Sequence, residues 1–356
     1  MDGRALSDGN RYRGIGVYLR SLLPELGKLP GLDVNVLVTS PADLPPGTTP
    51  VRIRRRIGGR FARAEHDFLL PREIARFRPQ VFHSPGLHPP AKCAAPWVQT
   101  LHDVIPLTFD APEFKRDRQA WLRWRERIRE ADGIVAVSQH VAAEGARVLD
   151  LPGSRFTVAL HGVSPAFRPS ETREVGPDPY LLFVAEFDPR KGYAEAFAAI
   201  SELASRGYPH RLKVAGRVAP WIAAEIQALL AAVTASDRVD LLGFVPHSEL
   251  PGLYRGASAA LMTNRDEGFG LPALEAMACG TPLVAFANTS LTEVIAGGGL
   301  LVPDGDVPGV VDGLARVIDD RAFALELSQR GLRRAQDFTW ARSAAVHAAM
   351  FSQVAA

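Results

Sequence analysis

The sequence predicts an α/β protein made of two doubly wound parallel sheets. The chain has 356 residues, about twice the usual domain length of ~150 residues. Short apolar runs of strand length alternate with longer segments of helical periodicity in both halves. Glycines and polar residues follow several of these runs, where parallel sheets place their ligand-binding loops. This alternation is typical of strand–helix–strand units.

The N-terminal half contains four runs that predict strands, and helical segments separate most of them. The runs lie at 33–38, 81–83, 97–100 and 133–138. The first helix ends near 27, and others lie at 65–76, 113–131 and 139–148. His83 and His102 each follow a predicted strand, at the edge where ligands bind in such sheets. Each is therefore either a site residue or a structural histidine.

A proline-rich stretch divides the chain. Prolines at 165, 169, 177 and 179 predict a stiff, non-helical linker. We therefore predict domains at 1–168 and 169–338, followed by a C-terminal helical segment at 339–356. The second domain contains predicted strands at 180–185, 212–216, 239–244, 259–262 and 283–286.

The segment 259–286 is the most informative part of the chain. An apolar run is followed by a polar loop at 264–270, and Pro272 suits the first turn of a helix. Gly280 suits the end of that helix, where positive φ is common. The N–H groups of Phe269, Gly270 and Leu271 are then expected at a helix N-terminus, which favours a phosphate. Gly268 and Gly270 allow close approach of a ligand to the backbone.

Two carboxylates border this loop. Glu267 lies on the loop and Glu275 lies in the following helix. A carboxylate accepts hydrogen bonds from two sugar hydroxyls, so the pair suits two sugars on either side of a diphosphate. A glycine-rich connection without a ligand is the alternative.

The run from Glu267 to Pro282, EGFGLPALEAMACGTP, resembles the signature of the family 4 retaining glycosyltransferases. The resemblance extends from Asp2 to about Val354. It implies the GT-B fold, two facing Rossmann-like domains with a donor cleft between them. It also implies that Glu267 lies against the transferred sugar, that Glu275 holds the ribose, and that the loop amides hold the phosphates.

Other motifs extend the resemblance. The motif around His102, TLHDVIP, is similar to one whose histidine approaches the donor sugar. Gly14 and Gly16 resemble a loop that lies against the diphosphate, although Gly-x-Gly alone is also an ordinary turn. A dinucleotide fingerprint requires a third glycine where the chain has Leu19, which argues against an oxidoreductase. Phe244 and Val245 resemble the backbone segment that meets the nucleobase.

The turn after the first strand of the second domain reads DPRKG. The resemblance assigns Lys191 and Arg190 to the donor diphosphate. Cations there oppose the negative charge that grows on a departing diphosphate. Glu186 stands where many relatives have an arginine, so we expect it to repel phosphate.

The resemblance also implies an apolar strand ahead of Asp2. The sequence begins at Met1 with polar residues, so the first strand of the N-terminal sheet is expected to be missing.

Composition limits the function classes. A net charge of +2 gives no general case for nucleic-acid binding. The two cysteines, Cys93 and Cys279, are far apart, which argues against a disulfide framework or a zinc site. No apolar run reaches the ~20 residues of a membrane span, and the polar N-terminus predicts no signal peptide. These features predict a cytoplasmic protein.

Two basic stretches raise the question of a membrane surface. One, at 52–63, is rich in arginine and also suits an anionic acceptor. The other, at 115–129, contains Trp121 and Trp124. Basic residues with tryptophans are typical of helices at membrane interfaces. A solvated face with buried tryptophans explains the second stretch slightly better, so peripheral contact with the inner membrane face stays open.

We therefore expect a retaining glycosyltransferase that transfers a mannose- or glucose-type hexose from a GDP- or UDP-type nucleotide sugar. The acceptor is expected to be a glycan, a lipid-linked glycan or a small molecule. Catalytic roles are expected for His102, Glu267, Lys191 and Arg190, with no cofactor and no metal. The alternatives are a sugar phosphorylase or nucleotide-sugar epimerase of the same fold, or a non-catalytic nucleotide-sugar-binding protein.

Overall fold

The structure, a computed structural model, comprises two compact units. It describes residues 1–6, 14–38, 44–45, 47–52, 65–86, 89–109, 114–170, 176–218 and 222–356. Unit 1 is Met1–Gly162 with Thr339–Ala356, and unit 2 is Val163–Phe338. Phe167 belongs to unit 2, where its ring packs against those of His247 and Tyr254.

The described residues form strands and helices in alternation. The strands are β1 (Asn35–Val38), β2 (Thr49–Arg52), β3 (Phe82–Ser84), β4 (Trp97–Leu101), β5 (Gly133–Ala136), β6 (Phe156–Val158), β7 (Tyr180–Val184), β8 (Arg211–Ala215), β9 (Val239–Gly243), β10 (Ala259–Met262), β11 (Leu283–Ala287) and β12 (Leu300–Pro303). The helices are α1 (Gly14–Leu26), α2 (Leu70–Phe77), α3 (Ile105–Thr108), α4 (Lys115–Arg129), α5 (Gln139–Leu149), α6 (Tyr193–Ser205), α7 (Ala223–Ala231), α8 (Leu250–Gly256), α9 (Leu271–Ala278), α10 (Thr289–Ile295), α11 (Val307–Asp319), α12 (Arg321–Ala335) and α13 (Trp340–Ala355). The predicted α/β class with parallel sheets is confirmed.

Unit 1 contains two parallel sheets, β1–β2 and β3–β4–β5–β6. The opening residues lie between them. Asp2 forms a parallel bridge with Leu37 of β1, and its N–H donates to the carbonyl of His83 in β3 (2.9 Å). Met1–Gly3 therefore link β1 to β3, but the described residues contain no full strand between these two sheets.

The first helix and the C-terminal helix pack together in the core of unit 1. Leucines of α1 pack with Val36 and Val38 of β1 and with Trp340 and Ala344 of α13. Helix α13 also packs on β4 and β5 through Met350, which contacts Val98 and Val135. The C-terminal helical segment is therefore an integral part of the unit 1 core.

Unit 2 contains one six-stranded parallel sheet in the order β12-β11-β10-β7-β8-β9. Strand order reverses between β10 and β7, which are paired directly. This reversal is the switch point at which doubly wound sheets bind ligands, outside the carboxyl ends of their strands. The loops that follow β7 and β10 meet there.

Candidate functional site

The loop after β10 and the first turn of α9 form the centre of the site in unit 2. Thr263, Asn264 and Glu267 are all buried. Gly270 is the N-cap of α9 with φ of 90°, and Pro272 lies in the first turn as predicted. Positive φ suits glycine because it lacks Cβ. The N–H of Leu271 therefore lies in the first turn of a helix, where the dipole favours an anion.

Lys191 and Glu267 form an ion pair. Lys191 Nζ donates to Glu267 Oε1, and the same oxygen accepts from Asn264 Nδ2. Both side chains of the ion pair are 12% exposed. The structure thus joins two residues that the sequence separates by 76 positions.

The charge of Glu267 is stabilised by its surroundings. Burial raises the pKa of its carboxyl, but Lys191, Arg190 and the bonds from Lys191 and Asn264 outweigh burial and leave the pKa below its usual value. Glu267 is therefore ionised at neutral pH.

The turn after β7 approaches this loop very closely. Gly192 has φ of 66°, and a Cβ there would lie 1.9 Å from the carbonyl oxygen of Thr263. Thr263 Oγ1 in turn donates to the Gly192 carbonyl (2.7 Å). Only a residue without a side chain permits this contact, which places Lys191 beside Glu267.

Arg190 lies next to Lys191 but has its own acidic neighbour. Its Nε lies 3.1 Å from Asp188 Oδ1, and its carbonyl accepts from the Arg265 N–H (2.8 Å). Arg265 pairs with the buried Glu195. The two arginines therefore help to fix the two loops together.

Glu275 lies in α9, and its carboxylate has two described partners. The Tyr254 hydroxyl donates to Oε2 (3.2 Å), and His247 Nε2 lies 3.3 Å from Oε1. Glu275 is 6% exposed and Tyr254 is 1% exposed. The tyrosine and histidine hold the carboxylate in one orientation.

The expected nucleobase segment follows β9. Phe244 is 51% exposed, and Val245 is half-buried. Glu186, expected to repel phosphate, lies 3.6 Å from Arg217. That cation counters part of the negative charge of Glu186.

In unit 1, His102 follows β4. Its Nε2 lies 2.8 Å from the Pro85 carbonyl, so Nε2 carries the proton. Burial lowers the pKa of His102 to about 4, with a smaller opposing effect of the Pro85 bond. The ring is therefore neutral at neutral pH, and Nδ1 is an acceptor.

His83 belongs to a buried chain of hydrogen bonds. His83 Nε2 lies 2.7 Å from Thr100 Oγ1, Thr100 Oγ1 lies 3.3 Å from the Tyr18 hydroxyl, and that hydroxyl lies 2.8 Å from His347 Nε2. His347 Nδ1 donates to the Ser343 carbonyl (2.8 Å). These contacts give His83 a structural role.

Several other residues have defined local surroundings. Ser138 is the N-cap of α5 and accepts from the Val141 N–H (3.1 Å), as an ordinary helix cap does. Trp121 is 1% exposed, which supports the buried-tryptophan interpretation of α4. Gly14 is the first residue of α1, and Gly16 is buried in its first turn. Most of the 52–63 stretch lies outside the described residues.

Three further features bear on the site. The described residues contain no group of three or more His, Cys, Asp or Glu side chains that could hold a metal. None of the helices in the described part of the chain is both long enough and apolar enough to cross a bilayer. A cavity of about 470 Å³ in unit 1 is lined in part by Met1, Val34 and His83, and by none of the residues with a predicted catalytic or donor-binding role.

Sequence reasoning missed the residues that support the two glutamates. Asn264 follows β10 after Thr263, and Asn288 follows β11 directly. Tyr254 lies within α8, and His247 lies just before it. The rule that ligand sites form at strand ends applies to both asparagines. No sequence signal identifies Tyr254 and His247.

The fold and these loops define a doubly wound enzyme with a ligand site at the switch point of unit 2. Residues 167–334 match the family model described as glycosyl transferases group 1, and residues 12–167 match glycosyltransferase family 4. The chain belongs to this family of GT-B glycosyltransferases, and the protein is a glycosyltransferase.

Curated relatives carry related activities. The chain is 28% identical over 279 residues to O-antigen chain mannosyltransferase B of Escherichia coli, covering 74% of this chain and 72% of the relative. It is 32% identical over 244 residues to the lipopolysaccharide core biosynthesis mannosyltransferase LpsB of Rhizobium meliloti. That match covers 64% of this chain and 67% of the relative. It is 30% identical over 266 residues to the D-inositol 3-phosphate glycosyltransferase of Pseudarthrobacter chlorophenolicus. That match covers 70% of this chain and 63% of the relative. The match thus spans roughly two thirds of the length of these relatives.

Solved structures share the fold. Sucrose-phosphate synthase from Thermosynechococcus elongatus matches with a TM-score of 0.80 and 23% identity, covering 96% of this chain and 93% of that chain. HepE of Anabaena in complex with UDP-glucose matches with a TM-score of 0.76 and 16% identity. That match covers 99% of this chain and 98% of the HepE chain. At these identities the likeness establishes the GT-B fold alone.

Proposed function

We propose that this glycosyltransferase moves a mannose- or glucose-type hexose from a GDP- or UDP-type nucleotide sugar to an acceptor hydroxyl, with retention of the anomeric configuration and without a metal. The observation that carries the proposal is the Lys191–Glu267 pair beside the first turn of α9. A cation, a carboxylate and a helix N-terminus at one strand edge suit a sugar diphosphate. The mannosyltransferase relatives favour mannose.

The proposed roles follow from charge and position. The Lys191 ammonium and the first turn of α9 stabilise the leaving diphosphate as the C1–O bond breaks. Arg190 adds a second cation on the same turn. The Glu275 carboxylate, oriented by Tyr254 and His247, accepts the ribose hydroxyls.

Glu267 is proposed to position the sugar. Oε1 already accepts from Lys191 and Asn264, and these bonds reduce the electron density available for attack on C1. We therefore favour same-face transfer, in which the acceptor oxygen bonds to C1 on the face that the diphosphate leaves. The acceptor proton passes to the departing phosphate oxygen.

Three proposed roles rest mainly on the family resemblance. His102 would accept a sugar hydroxyl at Nδ1, Gly16 would border the diphosphate, and Phe244 with Val245 would contact the nucleobase. We also propose that the acceptor is a lipid-linked or other glycan and that the protein contacts a membrane surface.

The test is proton NMR of the purified protein with GDP-, UDP-, ADP- and dTDP-sugars in the presence of a chelator. Slow release of one sugar as the α anomer supports the donor class and retention. Release of the β anomer contradicts retention. Absence of release and of ligand line broadening for every donor contradicts the proposal, and broadening without release favours a non-catalytic binding protein.

Two substitutions separate binding from turnover. Lys191→Ala should lower kcat about 10- to 100-fold, since a charge-assisted hydrogen bond to the leaving group contributes roughly 1.5–3 kcal/mol. Glu275→Ala should mainly raise the donor KM, because the ribose contact is made before and during reaction. Lys28→Ala and Glu326→Ala, which change exposed ion pairs, are the controls. If Lys191→Ala and Glu275→Ala lost donor affinity equally and both kept kcat, the assignment of Lys191 to turnover and Glu275 to binding would be contradicted.

A further inference from the structure

The turn after β11 holds the backbone of Glu267 at both ends. This turn consists of Asn288, Thr289 and Ser290, and we call it the β11 turn. The Glu267 N–H donates to Thr289 Oγ1 (3.3 Å), and the Ser290 hydroxyl donates to the Glu267 carbonyl (2.8 Å). Ser290 is fully buried. The Glu267 peptide groups are therefore fixed independently of its carboxylate.

Asn288 extends the same contact to the start of the loop. Its Nδ2 donates to the Asn264 carbonyl (2.8 Å) and to Asp304 Oδ1 (2.6 Å). Asn288 is the N-cap of α10, yet its side chain makes no capping bond to the helix backbone. An asparagine at this position ordinarily accepts from a backbone N–H of the first turn. Here the Oδ1 accepts from the Thr289 hydroxyl instead (3.2 Å).

Thr289 adopts an unfavourable backbone conformation. Its φ is 41°, in the left-handed region, which a β-branched residue rarely enters. Glycine would adopt this conformation without strain, but it lacks the hydroxyl that meets Glu267. Strained residues of this kind persist where the surrounding structure fixes them.

We propose that the β11 turn is a positioning device for the transferred sugar, with Thr289 and Ser290 as positioning residues that act through Glu267. The proposal rests on the proposed sugar-contacting role of Glu267. Asn288 holds the loop at Asn264, and Thr289 with Ser290 fixes the peptides on either side of Glu267. The carboxylate then needs only Lys191 and Asn264 to reach one defined position.

The inference predicts that a substitution at Thr289 can relieve backbone strain and still lower turnover. Thr289→Gly removes both the strain and the hydroxyl, Thr289→Ser keeps the hydroxyl without β-branching, and Thr289→Val keeps β-branching without the hydroxyl. Ser290→Ala removes the second contact. Thr292→Val is the matched control, because the exposed Thr292 hydroxyl makes a long hydrogen bond, 3.5 Å, to the Asn288 carbonyl rather than to Glu267.

Each variant is measured for thermal midpoint, for donor KM and kcat, and for hydrogen exchange of the Glu267 amide. We expect Thr289→Gly to keep or raise the midpoint while kcat falls about tenfold and the donor KM changes less than about twofold, since misplacement of a reacting group lowers kcat. Thr289→Val and Ser290→Ala should lose kcat similarly. Thr289→Ser should keep kcat within about twofold, as should Thr292→Val.

Hydrogen exchange separates this proposal from the proposed function. The Glu267 amide should exchange about tenfold faster in Thr289→Gly than in the wild type, because it loses its acceptor, whether or not any donor is turned over. An inactive wild-type enzyme with this exchange pattern would therefore contradict the transfer reaction alone. The positioning role is overturned if Thr289→Gly retains kcat and slow exchange, or if kcat falls only in variants whose midpoint falls equally.

Discussion

Acidification should destabilise unit 1 through the buried imidazole of His347. Burial is the main cause that lowers the pKa of His347 to about 4, from an ordinary value of 6.5. Its ring faces Tyr18, His83 and Phe351. With Nδ1–H donated to Ser343, Nε2 must accept from the Tyr18 hydroxyl. A second proton on the ring would remove that acceptor.

The size of the effect follows from proton linkage. The folded pKa is depressed, so between pH 6.5 and about 4 the unfolded chain binds more protons than the folded chain. Stability is therefore fully present above the unfolded pKa and falls as pH drops through this window. At a pH of about 5.5 the unfolded histidine is about nine-tenths protonated, and the loss from His347 alone is about 1.4 kcal/mol. For a domain of roughly 150–250 residues this lowers the melting temperature by about 3–6 °C.

The assay is thermal or urea unfolding of the wild type and His347→Gln at a pH of about 7.5 and about 5.5. Glutamine keeps a donor and an acceptor but does not titrate in this range. The wild type should lose about 1.4 kcal/mol more than the variant. Carboxylates and the other histidines titrate in both proteins, so the double difference reports His347 together with its lowering of the pKa of His83 and His161. An equal pH dependence in the two proteins refutes the reasoning.

Three further perturbations test unit 2. Tyr254→Phe should raise the donor KM about 3- to 10-fold with kcat nearly unchanged, because Glu275 loses an orienting bond; an unaltered KM in steady-state kinetics counts against it. Gly192→Ala should cost about 1–3 kcal/mol in urea unfolding, since its Cβ would meet a backbone carbonyl oxygen at 1.9 Å, whereas Gly153→Ala, with no atom within 4 Å, should be nearly neutral. An unchanged urea midpoint for the first variant contradicts the close approach. Donor turnover should survive a chelator if Lys191 supplies the main cation at the leaving group, and loss of activity with rescue by a divalent ion contradicts this.

The strands of the three described sheets could be predicted mostly from local apolar runs. The run at 259–262 matches β10, and that at 283–286 is one residue shorter than β11. Three strands escaped prediction, and two of them, β2 and β6, lack that pattern, whereas β12 is an apolar run that was overlooked. β2 contains Pro50, which is unusual within a strand, and β6 has three residues, all half-buried. Pairing with a neighbouring strand, which local sequence does not encode, stabilises these segments.

The site could be predicted only as separate residues. The signature around Glu267 and the turn containing Lys191 are local features, so both were found. Their contact depends on strand order, because β10 pairs with β7 although β8 and β9 intervene in the chain. The same argument explains why Thr289 was missed, since β11 lies on the other side of β10.

Strand order also explains why positioning and charge stabilisation can be divided in unit 2. The loop after β10 lies between two neighbours, the turn after β7 and the β11 turn. The first supplies Lys191 to the Glu267 carboxylate, and the second holds the Glu267 backbone. Substitution of Lys191 therefore removes charge from the proposed leaving-group site, whereas substitution of Thr289 changes geometry without changing charge.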